Sequence, residues 1–273
     1  MTRSSITHIS RPPHSSRVIL PEYKEGTDGS IVSFLAAQTK EAKAKGFVLG
    51  VSGGLDSAVV MRLCARAVGK ENVLGLLMPA GDSLKEDIDD AKMLCSLEGV
   101  EHEVLDISRP VDAFVKAVGG HVERLPLGNI KARCRMVVLY YFANARNRLV
   151  AGTSNKSELM MGYFTKYGDG GADVEPLGDL YKTQVRQLAK RMGVPDRIIQ
   201  KAPSAGLWKG QTDEGEMGIT YERLDSILSG LELGFTVTDI AKRAETSVDE
   251  VSRIAGIVRS TSHKREMPPF AKV

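Results

Sequence analysis

At 273 residues, with 42% hydrophobic and 26% charged side chains, the chain falls in the ordinary globular range and has material for one large core or two small ones. Its 37 basic and 34 acidic residues are interspersed and leave a formal charge of +3, too mild a balance to imply a nucleic-acid partner. No apolar run approaches the roughly 18 residues that span a bilayer, and Cys64, Cys95 and Cys134 form no CxxC pair. No membrane partner, zinc cluster or disulfide framework is therefore suggested, and a reducing, cytoplasmic setting is expected.

Met1 to Arg17 is rich in Ser and Arg, holds Pro12 and Pro13, and lacks acidic residues, which reads as a flexible tail before a single domain over 18–273. Four short apolar runs follow as expected strands: Phe47 to Val51, Val73 to Met78, Glu103 to Ile107 and Arg148 to Gly152. Between them Ala58 to Val68, Lys85 to Leu97, Val111 to Val118 and Ile130 to Asn144 carry apolar residues every three or four positions, the period of a helix. The alternation predicts an α/β fold, a doubly wound and mostly parallel sheet with helices on both faces. Ligands then belong in the crevice beyond the carboxyl ends of the strands.

The octet Gly50-Val51-Ser52-Gly53-Gly54-Leu55-Asp56-Ser57 follows the first strand and runs into a helix. Successive backbone N–H groups there face a helix N-terminus, so phosphate is the natural guest. Gly53 and Gly54 permit close approach, and Ser52 and Ser57 offer hydroxyls. Asp56 is repulsive beside phosphate unless a cation lies between, which argues for Mg²⁺. A purely structural turn, with Asp56 as a local cap, is the plainer alternative; the whole octet after a buried strand favours nucleotide binding. No GxxxxGK[ST] or GxGxxG is present. Thr153 and Glu158 follow the fourth strand at the same sheet edge, where Glu158 can join Asp56 on the metal.

The octet resembles the SGGxDS pyrophosphatase loop of the adenine nucleotide α-hydrolase-like superfamily, which has a Rossmann-like fold. Leu127 to Met136, Gly152 to Glu158, Phe164 to Asp173 and Ser262 to Arg265 are similar to segments of NAD synthetases, the KYGDGGAD stretch most specifically. The resemblance implies a ligase: ATP adenylates the nicotinate carboxylate of deamido-NAD, pyrophosphate leaves, and ammonia displaces AMP to give NAD. It implies Asp56 and Lys182 as catalytic, ATP contacts from Gly50 to Ser57, Thr153, Lys182 and Ser204, and Mg²⁺ on Asp56 and Glu158. Arg133, Lys166, Asp173, His263 and Lys264 would then hold deamido-NAD. Family members are homodimers, with the helix around Ile130 to Asn144 a plausible contact. Where relatives often read GTDHxAE, this chain reads GTSNKSE, keeping Thr153 and Glu158 and leaving 154–157 unassigned.

A glutaminase domain would need a few hundred further residues, so free ammonia is the expected donor. Two alternatives stand beside this reading. A GMP synthetase-type amidotransferase subunit shares the first loop and leaves Lys166 to Asp173 unexplained. Ile240 to Arg253 has the period of a helix-turn-helix, as in a nucleotide-sensing DNA-binding regulator. Asp249 and Glu250 heading the second helix, and Glu245 in the turn, argue against that use.

Overall fold

The computed structural model describes residues 20–272 apart from 82 and 209. The tail expected over residues 1–17 lies outside the described residues. After α1 (Thr27–Glu41) the chain alternates through β1 (Phe47–Gly50), α2 (Leu55–Val68), β2 (Val73–Leu77), α3 (Lys85–Glu98), β3 (Glu101–Val104), α4 (Ser108–Ala117), α5 (Arg124–Arg146) and β4 (Leu149–Val150). The order across the sheet is β3-β2-β1-β4, and every pair is parallel. The chain winds outward from β1 to β3, then returns through α5 to lay β4 on the other side of β1. That reversal puts a switch point between β1 and β4, where the carboxyl ends of adjacent strands diverge into a crevice.

Alternation along β1 explains why both sheet faces are covered. Phe47, Leu49 and Val51 enter one core with α1, α2, α3 and residues of α7 (Lys182–Arg191), while Val48 enters a second core with α4 and α5. The edge strand β3 is partly exposed and carries Glu101 and Glu103, both paired with Arg146, a charged edge that resists pairing with another chain. Beyond β4 come α6 (Lys156–Met161), α7, α8 (Asp196–Ile199), α9 (Asp213–Met217), α10 (Tyr221–Glu232), α11 (Val237–Arg243) and α12 (Val248–Ser260). The last four build a third core around Tyr221, Leu224, Ile240, Val251 and Ile254. The helix-turn-helix period is thus satisfied by burial against α10, and Ser247 caps α12 by accepting from the Glu250 N–H.

Several element boundaries differ from the sequence expectation, three of them instructively. The second helix begins at Leu55, so Asp56 and Ser57 lie inside its first turn. β3 begins two residues before the expected Glu103 and ends at Val104; the apolar residues beyond it, including buried Ile107, lead into α4. α5 starts at Arg124, six residues before the expected Ile130, because its first turn holds exposed Leu125 and Pro126 and shows no apolar period. Proline is tolerated there, where no carbonyl lies one turn back. Among the described residues no helix is long and apolar enough to cross a membrane.

Candidate active site

The glycine turn is braced by its own side chains. Ser57 Oγ donates to the Gly54 carbonyl (3.1 Å) and accepts from the Ser52 N–H (3.3 Å), and Ser52 Oγ accepts from the Gly54 N–H (3.3 Å). The two expected phosphate hydroxyls therefore shape the loop itself. A helix start has no carbonyl one turn back for its first N–H groups, so those of Leu55, Asp56 and Ser57 are available to an anion. Every residue from Gly50 to Ser57 except Gly53 lines a cavity of about 660 Å³. Gly53, at φ +77°, turns its bare Cα toward α3 instead: a Cβ there would lie 2.4 Å from the Asp87 carbonyl oxygen. Its need for glycine comes from packing and backbone conformation.

Across the switch point, Thr153 and Glu158 reach the same cavity from the end of β4, and Lys182 reaches it from the start of α7. Lys182 Nζ donates to Asp56 Oδ2 (2.5 Å) and Glu158 Oε1 (3.4 Å) and sits 5.2 Å above the Tyr221 ring. Burial opposes its charge, but Asp56 and Glu158 offset that cost and raise the ammonium pKa. Burial also raises the Glu158 carboxyl pKa against the pull of Lys182, with Asp56 and Asp213 adding repulsion. Asp213 is raised for the same first reason. Its Oδ2 accepts from Tyr221 OH (3.1 Å), while its buried Oδ1 has no hydrogen-bond partner.

Two carboxylates therefore share one ammonium, and a third, Asp213, stands near them with one oxygen orphaned. That donor set fits a hard divalent cation such as Mg²⁺. Among the described residues no three His, Cys, Asp or Glu converge on a ready-made metal position, so a cation here would need further ligands from outside the protein.

The platform bearing Lys182 is fixed from below. Ser157 Oγ accepts from the Lys182 N–H (2.9 Å) and donates to Asp225 Oδ1 (2.5 Å), while Asp225 Oδ2 accepts from the Thr183 N–H (2.8 Å). Burial pushes the Asp225 carboxyl up to about 6 despite those bonds. Glu175 fills the space beside Gly152, where a Cβ would lie 2.3 Å from its carboxyl, and accepts from the Ser154 N–H (3.2 Å). Burial pushes it up to about 8.

The expected dinucleotide residues divide. Lys264 lines the cavity, and its Nζ donates to the carbonyls of Gly162 (2.7 Å) and Phe164 (2.8 Å). Arg133, Lys166, Asp173 and His263 do not line it. Their polar groups tie the 163–173 loop to its neighbours: Arg133 Nη2 donates to the Lys166 carbonyl (3.2 Å) and Lys166 Nζ to the His263 carbonyl (2.5 Å). Asp173 accepts from Val150 N–H (2.8 Å) and Tyr140 OH (3.1 Å). Lys264 and Arg265 are both anchored to backbone carbonyls, so the basic terminus is part of the fold rather than frayed.

Ser204 is exposed and lines the cavity on a segment held to α3 by Lys201, which pairs with Asp87 (2.7 Å) and Asp90 (2.9 Å). On its other side Lys131 Nζ donates to the Leu207 carbonyl (2.9 Å), and the Arg124 guanidinium lies 4.6 Å from the Trp208 ring centre. Asp213, Tyr221, Ser157, Asn155, Asp225, Glu175 and Trp208 all escaped sequence reasoning. An acidic residue at a helix start, such as Asp213 after the cap Thr212, reads as ordinary dipole compensation, and a buried Tyr reads as core.

The NAD synthase family profile matches residues 29–268. The NH(3)-dependent NAD(+) synthetase of Thermococcus kodakarensis is 50% identical over 88% of this chain and 94% of its own, and that of Archaeoglobus fulgidus 49% over 89% and 95%. Among solved structures, the NMN synthetase of Francisella tularensis superposes with a TM-score of 0.82 at 36% identity, covering 91% of this chain and 98% of that one. The NH3-dependent NAD synthetase of Campylobacter jejuni gives 0.77 at 33% identity over 91% and 98%. With a glycine turn and a lysine–carboxylate cluster at the sheet's switch point, and with identity extending over nearly the whole chain, this protein belongs to the NAD synthase family.

Proposed function

We propose that the protein is an ammonia-dependent NAD(+) synthetase that adenylates the nicotinate carboxylate of deamido-NAD with ATP and amidates it with ammonia. The observation that carries this reading is Lys182, held by Asp56 and Glu158 at the mouth of a turn whose N–H groups face the same cavity. The turn and the α2 N-terminus bind the polyphosphate, with Thr153 and Ser204 as further hydroxyl donors. Asp56 and Glu158, with Asp213 behind them, would hold Mg²⁺, and the ion would supply positive charge beside the polyphosphate oxygens. Lys182 places a fixed ammonium where charge grows as the carboxylate attacks the α-phosphorus in line and pyrophosphate departs.

The acyl-adenylate then meets ammonia, which expels AMP and leaves the amide. The enzyme's contribution is position and exclusion of water; no protein nucleophile is required. Arg133, Lys166 and the His263 carbonyl are linked by hydrogen bonds, and Asp173 and Lys264 hold either end of the same 163–173 loop; we assign deamido-NAD to this side, its phosphates and pyridine carboxylate calling for cationic donors.

We infer a homodimer through α4 and α5, along which Phe114, Val118 just past α4, Val137 and Tyr141 are exposed. Three unpaired, buried cysteines suit a cytoplasmic protein. Sedimentation tests the dimer: Tyr141→Glu is expected to yield monomers, and an unchanged sedimentation coefficient removes α5 from the interface.

The deciding assay offers purified protein ATP, Mg²⁺ and ammonium with deamido-NAD, nicotinate mononucleotide or xanthosine monophosphate. AMP with NAD supports this reading. AMP with NMN shifts the assignment toward the Francisella relative's named activity, AMP with GMP to another amidotransferase, and ADP overturns all three.

A further inference from the structure

We propose that Asn155 is a positioning residue that sets Asp56 and Glu158 relative to one another, an assignment that rests on their role in holding Mg²⁺. Asn155 is fully buried; its carbonyl accepts from the Leu159 N–H of α6, and its three other hydrogen bonds all go to Asp56 or Glu158. Its N–H donates to Glu158 Oε2 (3.2 Å), its Oδ1 accepts from the Glu158 N–H (3.1 Å), and its Nδ2 donates to Asp56 Oδ1 (3.1 Å). The amide orientation follows from chemistry: the Glu158 N–H can only donate, so Oδ1 must face it and Nδ2 must face Asp56.

Each carboxylate is thus gripped at both oxygens by the same two residues. Lys182 takes Asp56 Oδ2 and Glu158 Oε1, while Asn155 takes Asp56 Oδ1 and Glu158 Oε2. The two grips differ in charge. Lys182 neutralises part of the pair, whereas an amide and a backbone N–H orient the oxygens and leave their charge for a divalent cation. A second Lys here would quench the pair and an Asp would repel it. Partners that orient metal-binding carboxylates in this way typically change metal affinity 10- to 100-fold when removed.

The plainer role is the N-cap of α6, which Asn155 also fills through a capping box. Asn155→Ser separates the two, because serine caps a helix as well as asparagine but is too short to reach Asp56. Calorimetric titration of ATP into the protein at graded Mg²⁺ is expected to show the half-saturating Mg²⁺ rising about tenfold, with melting temperature and deamido-NAD affinity close to those of the unaltered protein. Asn155→Asp also keeps the cap and sets a carboxylate against Asp56; its Mg²⁺ dependence is expected to shift as well. Unaltered Mg²⁺ dependence in either folded variant overturns the assignment. Asp56→Asn is the control: if it too keeps the Mg²⁺ dependence, the metal role itself fails, whereas loss there with retention in Asn155→Ser removes Asn155 alone.

Discussion

The turn after β1 and the α6–α7 platform face each other across one cavity, yet they are held in opposite ways. Ser52, Gly54 and Ser57 brace the turn within five residues of chain. The platform relies on distant partners: Ser157 bonds Asp225 across 68 residues, Asn155 bonds Asp56 across 99, and Lys182 bonds Asp56 across 126. The turn is therefore a local device, while the charges that face it are set by how distant elements dock on one another.

Substitutions can break this contrast. Lys182→Met is expected to give the largest effect, a fall in kcat of about 10³-fold, since it deletes a fixed charge at the developing oxyanion. A loss under tenfold in initial-rate assays would remove Lys182 from the chemistry. Asp225→Asn should lower kcat about tenfold, with little change in ATP KM, and cost about 2 kcal/mol in urea denaturation. Ser157 and the Thr183 N–H use different oxygens of Asp225, and asparagine keeps only one of them as an acceptor, so a buried donor loses its partner. If only stability moves, Asp225 does not steer Lys182.

Gly53→Ala tests the local side. A positive φ and a Cβ 2.4 Å from the Asp87 carbonyl should cost on the order of 2 kcal/mol, read by denaturation together with weaker ATP binding. Unchanged stability would show that the turn tolerates displacement from α3.

Glu175→Gln should give the smallest change, visible in pH dependence. The folded Glu175 pKa of about 8 lies above the model-peptide range, so the folded state holds an extra proton between roughly pH 4.5 and 8. Its contribution to stability is therefore greatest at the acid end and is lost as pH rises through 8. Glutamine keeps an acceptor for the Ser154 N–H without the charge. It should flatten that slope and stabilise the protein by about 1 kcal/mol at pH 9, as measured by denaturation across pH.

Much of the frame is readable from single segments. Buried runs such as Phe47 to Gly50 and Val73 to Leu77, alternating with helical periods, are enough for a parallel sheet, and the octet at its first strand end marks the crevice. The boundary at Arg124 was hidden because exposed Leu125 interrupts the apolar period. Asp213, Tyr221 and Asp225 were hidden for a different reason: on their own helices they look like a first-turn acid, a core aromatic and a polar interruption.

The sequence by itself determined the α/β alternation, the glycine turn at the first strand end, the placing of Asp56, Thr153 and Glu158 at one sheet edge, and through its segments the family, with Lys182 entering only by that resemblance. Only the tertiary structure decided that Lys182 lies between Asp56 and Glu158, that Asn155 grips both, and that the Arg133, Lys166 and Asp173 side chains are spent on the 163–173 loop and its contacts, which include the His263 carbonyl. The physical reason is range. Periodicity and turn chemistry act over a few residues, whereas the position of a buried charge depends on which distant donors and acceptors share its low-dielectric surroundings.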